Sequence, residues 1–132
     1  MDSLTIKATE FTPGINFQSD GNLNIFGVSR PEDVIKFYIV PISWLKNFIK
    51  YIFSKADNNL DTPNVNLTFK MRYFNSASSK SILQILDLIC QINNKGIAVN
   101  INWYYDEADE QMLEDGEDLS DAVDLPFNFI VE

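Results

Sequence analysis

The chain has 132 residues, 45% of them hydrophobic and 13% aromatic, which is the length of one ordinary domain and enough to build a core without staples. It has no histidine and a single cysteine, which excludes Ser-His-Asp and Cys-His catalysis, most zinc sites and any internal disulfide. The net charge of −9 is uneven: residues 1–95 hold all 10 basic and 8 of the acidic residues, and residues 96–132 hold 11 acidic and none basic, so the C-terminal part repels nucleic acid and anionic membrane and would attract a basic protein surface.

The opening third reads as short strands. Leu4–Thr9 and the run GINFQ are candidates, and NLNIFGV alternates Leu23, Ile25 and Gly27 on one side. The SDGN before it carries an Asp-Gly turn signal, so these segments predict a β-hairpin. No apolar run approaches the roughly 20 residues a membrane span needs, and MDSLTIKATE lacks the basic-then-apolar order of a secretory signal. A cytoplasmic location is expected, in line with the single cysteine.

Next, RPEDVIKFYIVPISWLKNFIKYIFSK places Val34, Tyr38, Leu45, Phe48 and Ile52 at helical spacing. Pro31 suits a first turn, with Glu32 and Asp33 beside the positive end of the dipole. Pro41 in the middle removes a hydrogen bond and predicts a kink, or a break near Val40. After the loop ADNNLDTP, Val65, Leu67, Phe69, Met71 and Tyr73 alternate with Asn66, Thr68, Lys70 and Arg72 as in a half-buried strand; VNINWYY alternates in the same way. A strand buried on both faces would be apolar throughout, so one sheet face is expected to lie uncovered or lightly covered.

Between these two strands a helix is predicted from about Ser76 to Asn94. Ile82, Ile85, Leu86, Ile89 and Ile92 form its core stripe, and Lys80, Gln84, Asp87, Gln91 and Asn94 form a polar one. Gly96 is placed to follow its end. Strand, helix and strand with short joints make a βαβ unit with parallel strands. A short acidic helix with Met112 and Leu113 follows, interrupted or ended at Gly116, and PFNFIV reads as the last strand. The whole predicts an α/β fold in one domain, 1–132, with a mixed sheet and helices mainly on one face.

The segment FNSASSK, at the joint of strand and helix, carries the functional question. Asn75 or Ser76 can cap the helix by accepting a hydrogen bond from a free backbone N–H. The same free N–H groups and positive potential would also receive a phosphate on Ser76, and Ser76, Lys80, Gln84 and Asp87 run up one exposed face. Cys90 sits among Ile85, Leu86, Ile89 and Ile92 and reads as an inert core residue. The carboxylate run DEADEQMLEDGED does not fit a calcium-loop pattern, Asp106 and Glu110 could act as paired carboxylates for acid-base chemistry but a dense acidic helix usually lies in water, and no glycine-rich phosphate loop is present.

TPGINF at Thr12–Phe17, FYIVPISWL at Phe37–Leu45, YFNSASSK at Tyr73–Lys80, WYYDEADEQMLEDGED at Trp103–Asp118 and LPF at Leu125–Phe127 together resemble the SiaC family. The resemblance covers nearly the whole chain. It implies a fold similar to STAS domains and anti-sigma factor antagonists, and a non-enzymatic bacterial switch protein that needs no cofactor. In such a family a SiaB-type kinase phosphorylates a Ser or Thr after the Asn of the motif, which is Ser76 here. A SiaA-type PP2C-like phosphatase removes the phosphate, and the unphosphorylated form binds a SiaD-type GGDEF diguanylate cyclase and promotes cyclic-di-GMP synthesis and biofilm growth. Ser78 and Ser79 are further acceptors to consider.

On this reading Asn75, Ser76, Ser78, Ser79, Lys80 and Gln84 line a partner surface, with the acidic stretch Asp106–Asp118 as a candidate second contact and neither nucleic acid nor membrane as a partner. The alternative from another class is a constitutive scaffolding module whose serines only cap a helix; Ser76→Asp would then leave binding nearly unchanged. A third, a carboxylate-based hydrolase, would need a concave site with perturbed carboxylates.

Overall fold

Alternating apolar residues and turn signals give six strands, and helical apolar stripes give three helices. The computed structural model describes all residues 1–132. Its elements are β1 (Leu4–Ile6), β2 (Gly14–Phe17), β3 (Asn22–Ser29), α1 (Val34–Asp57), β4 (Val65–Phe74), α2 (Ser76–Asn94), β5 (Val99–Tyr105), α3 (Glu110–Val123) and β6 (Asn128–Val131). The strands form one sheet in sequence order, β1 to β6. The pairs β1–β2 and β2–β3 are antiparallel; β3–β4, β4–β5 and β5–β6 are parallel, as helical crossovers require. The expected hairpin is β2–β3. Gly21 makes its turn at φ +98°, where a Cβ would lie 2.2 Å from the Asn64 carbonyl oxygen.

The helices form one layer, α1 on α2 and α2 on α3. Beneath them Ile15, Phe17, Leu23, Ile25, Leu67, Phe69, Ile101 and Trp103 of the sheet meet Leu45, Phe48, Ile52 and the isoleucine stripe of α2, all within 2% of full burial. The other sheet face carries no helix. Asn16, Asn24, Thr68, Asn102 and Asn128 stand in register across it, and Asn128 donates to Asn102 and Asn102 to Thr68. The half-polar strands thus belong to a sheet covered on one side.

The structure departs from sequence expectation in four places. Of the kink or break expected at Pro41, the break is absent: α1 runs unbroken from Val34 to Asp57 with Pro41 buried. Pro31, Glu32 and Asp33 are not in its first turn: Asp33 is the N-cap, accepting from the Lys36 N–H at 3.0 Å. Gly116 does not end α3 but lies inside it. A Cβ there would meet the Trp103 indole at 2.5–2.8 Å, so the bare backbone of Gly116 is what lets α3 approach Trp103. Tyr73 does not share the face of Val65 and Met71. The β3–β4 register shifts, Gly27 opposing Met71 and Val28 opposing Tyr73, which leaves Arg72 as an extra residue. Such a bulge reverses the alternation beyond it, and Tyr73 is 49% exposed.

Candidate functional site

The bulge in β4 lies just before the FNSASSK turn, so it aims the joint between β4 and α2. Backbone hydrogen bonds then fasten that joint to the end of β3: the Asn75 N–H donates to the Ser29 carbonyl at 3.0 Å. Asn75 is the N-cap, its Oδ1 accepting from the Ser78 N–H at 2.8 Å, while its carbonyl accepts from Ser79 N–H. The capping role that Asn75 and Ser76 could each have filled therefore falls to Asn75.

Ser78 is removed from the surface altogether. A chain of hydroxyls runs beneath the helix end: Ser29 Oγ donates to Ser78 Oγ at 2.8 Å, and Ser78 Oγ donates to the Ser29 carbonyl at 3.0 Å. The 2.6 Å contact between Tyr38 and Ser29 must then carry the tyrosine's proton, since the Ser29 proton is already committed. All three side chains are buried, and the hydrogen bonds satisfy the burial. Burial pushes the Tyr38 phenol above its ordinary range, and the hydroxyls of Ser29 and Ser78 pull it back only in part. The expectation that Ser78 contributes to a partner surface, or accepts phosphate, is corrected here: its oxygen is enclosed and committed to Ser29.

The remaining expected residues face outward. Ser76, Lys80 and Gln84 are exposed along α2, with Asp87, Gln91 and Asn94 continuing the polar stripe. Ser79 is half-buried and its hydroxyl donates to the Ser76 carbonyl at 2.7 Å. Asn75 is half-buried and occupied by its cap. Of the first-turn amides, those of Ser76 and Ala77 have no acceptor within the helix, because no earlier turn exists to supply one. The exposed hydroxyl of Ser76 therefore stands at the positive end of α2 with Lys80 one turn further along.

Beside this face lies a groove that sequence reasoning did not single out. It follows the first half of α1; Asn75, Ala77, Lys80 and Gln84 form its α2 wall, and Ile6 and Thr12 border it on the other side. Ile35, Ile39 and Val40 project from α1 with 78%, 57% and 46% of their surface exposed. Their signal was present in the sequence as two isoleucines and a valine off the core stripe of Tyr38, Leu45 and Phe48.

Two other expected features lie apart from this site. Cys90 sits between α2 and α3, its thiol 3.6 Å from the Val123 carbonyl. Burial pushes it above the usual thiol range, helped by the carboxylates of Asp87 and Asp124, which disfavours its thiolate; it is half-buried at this joint and not part of the core. The acidic residues of Asp106–Asp118 lie exposed or half-buried in the turn before α3 and along α3 itself, at the opposite flank of α2 from α1. No three His, Cys, Asp or Glu side chains are grouped to hold a metal ion, and no helix is long and apolar enough to cross a membrane.

Comparison with known proteins places these features in a lineage. The family model "SiaC family regulatory phosphoprotein" matches residues 6–132. An uncharacterized protein of Pseudomonas aeruginosa (strain UCBPP-PA14) is 30% identical over 130 residues, covering 96% of this chain and 94% of that one. The crystal structure of apo-SiaC from P. aeruginosa superposes with a TM-score of 0.81 at 28% identity, covering 100% of this chain and 99% of that one. In the crystal structure of the diguanylate cyclase SiaD in complex with its activator SiaC, from the same organism, the match has a TM-score of 0.80 at 29% identity over 97% of each chain.

Proposed function

The chain belongs to the SiaC family of regulatory phosphoproteins, and from that premise we propose that it is a phosphorylation-controlled activator of a diguanylate cyclase. A SiaB-type kinase phosphorylates Ser76, and a SiaA-type PP2C-like phosphatase restores it. The unmodified protein binds a SiaD-type GGDEF cyclase through the surface of Asn75, Ser76, Ser79, Lys80 and Gln84, and so raises cyclic-di-GMP output. The protein itself performs no chemistry.

The observation that carries this reading is the position of Ser76. It is the exposed serine at the tip of α2, and it has no capping duty because Asn75 performs that role. A scaffold whose serines only cap would use them otherwise. A phosphate on Ser76 brings roughly −1.5 to −2 charges to free N–H groups and a positive helix end, where it is tolerated by the fold. Its effect is then felt by whatever lies against α2. A partner with an acidic or apolar contact patch is repelled.

The test is intact mass and site mapping after incubation with ATP and the kinase-like protein encoded nearby, beside Ser76→Ala. One phosphate on the wild type and none on the variant is expected. An unmodified wild type beside an active kinase control returns the protein to the class of constitutive binding modules.

A further inference from the structure

The proposed function leaves open what the cyclase, or any other partner, presents to this protein. The outer residues of α1 answer that: Ile35 and Ile39 are exposed, and Ile42 is half-buried against the core. Ile35, Ile39, Ile42 and Lys46 all line the groove, at steps of four, three and four residues. That spacing keeps them on one seam of the helix, the seam along which a second helix packs at a shallow angle. The apolar part, Ile35 to Ile42, is about 10 Å long at 1.5 Å per residue, room for two turns of a partner helix, with Lys46 at its end.

Charge specifies the partner further. Lys36 and Lys46 of α1 and Lys80 of α2 border the same groove, and none has an ion-pair partner, since the only salt bridge in the structure joins Lys95 to Asp57. The two acids at the groove, Glu32 and Asp33, lie together at the N-terminal end of α1, where Asp33 is taken up as its cap, against three lysines spread along the groove. An apolar seam flanked by unpaired lysines, in a chain of net charge −9, fits a helix with an apolar stripe and acidic flanks. The chain's own acidic helix cannot serve in a second copy, because Met112 and Leu119 of α3 are already buried in its own core.

We infer that the α1 seam of Ile35, Ile39 and Ile42, bordered by Lys36, Lys46 and Lys80, docks an acidic amphipathic helix of a partner protein. The inference deepens the proposed function: Lys80 is one turn from Ser76, so a phosphate there cancels a flanking lysine and repels the acidic helix. The sign of the switch follows from the charges.

The experiment uses two synthetic peptides of 14 residues with the same leucine stripe at i, i+4, i+7 and i+11, one with glutamate and one with lysine on its flanks. Fluorescence anisotropy with the full chain is expected to show the acidic peptide binding about tenfold or more tightly than the basic one, and less tightly as salt rises. Ile39→Asp weakens the acidic peptide by about tenfold, Lys36→Glu with Lys46→Glu by a similar factor, and Ser76→Asp by a few-fold. Lys55→Glu, at the far end of α1 outside the groove, leaves it unchanged. Equal binding of both peptides, binding of neither, or indifference to Ile39→Asp overturns the inference. If Ser76 is phosphorylated and a cyclase still binds Ile39→Asp as it binds the wild type, the switch stands and the docking seam does not.

Discussion

The helix layer has two seams, and they are built in opposite ways. Between α2 and α3 the interior is apolar and the charges face water. Trp103 reaches up from β5, donates to the Met112 carbonyl at 2.9 Å and lies against the bare backbone of Gly116. Between α1 and α2 the contact is apolar along most of its length, but at the N-terminal end of α2 it is polar, the hydroxyl chain of Tyr38, Ser29 and Ser78, while Ile35 and Ile39 of α1 stand in solvent beside it. A surface of isoleucines over an interior of hydroxyls runs against the usual distribution. Departures from local rules of this kind concentrate where a protein meets its partners. The closed seam holds the fold; the inverted one carries the proposed site.

The sharpest way to break that comparison is at the closed seam. Gly116→Val places side-chain atoms where the Trp103 ring already lies and is expected to destabilise by about 2–3 kcal/mol, from overpacking. Urea denaturation measures it, and a neutral result would mean that α3 does not depend on this approach. At the inverted seam Tyr38→Phe removes one donor from a buried chain, for a loss of about 1 kcal/mol. Its signature is in the pH dependence. The folded phenol titrates above its ordinary value, so the unfolded chain releases that proton first. The stability owed to the shift is present below the ordinary tyrosine range and is lost as pH rises through it toward the folded value. Tyr38→Phe removes that component of alkaline destabilisation, which thermal melts across alkaline pH detect.

Smaller effects sharpen the division of labour at the tip of α2. Asn75→Ala costs about 1 kcal/mol through loss of the cap, and Asn75→Ser recovers most of it. Ser76→Asp changes stability by less than about 0.5 kcal/mol, since a carboxylate in a first turn is favourable, yet it weakens partner binding; loss of stability together with binding would make Ser76 a structural residue. The least effect is expected at Cys90, whose raised pKa and position against Val123 predict slower alkylation at neutral pH than that of a free thiol in the urea-unfolded chain.

Much of this was legible in the sequence. The isoleucine stripe of α2 and its polar opposite, the alternation of β4 and β5, the βαβ order and the Asp-Gly hairpin follow from periodicity and turn chemistry, which act between near neighbours. The family resemblance brought Ser76 forward, and its exposure at the helix tip agrees with that reading. Ser78 could not be separated from Ser76 and Ser79 by pattern. All three serines lie within four residues, and only the partner across the fold distinguishes them.

The sequence by itself determined which segments are strands and helices, which stripe of most of them faces the core, and that a cluster of serines opens α2 beside a capping residue, Asn75 or Ser76. The tertiary structure alone decided that α1 passes through Pro41 unbroken, that Gly116 serves packing and does not end α3, that the bulge at Arg72 turns Tyr73 outward, and that Ser78 is enclosed. Each of these depends on a contact between distant parts of the chain: Ser29 and Ser78 are 49 residues apart, and Gly116 meets Trp103 of another element. Local propensity is blind to such contacts, because a residue's side chain does not reveal what the fold will bring against it.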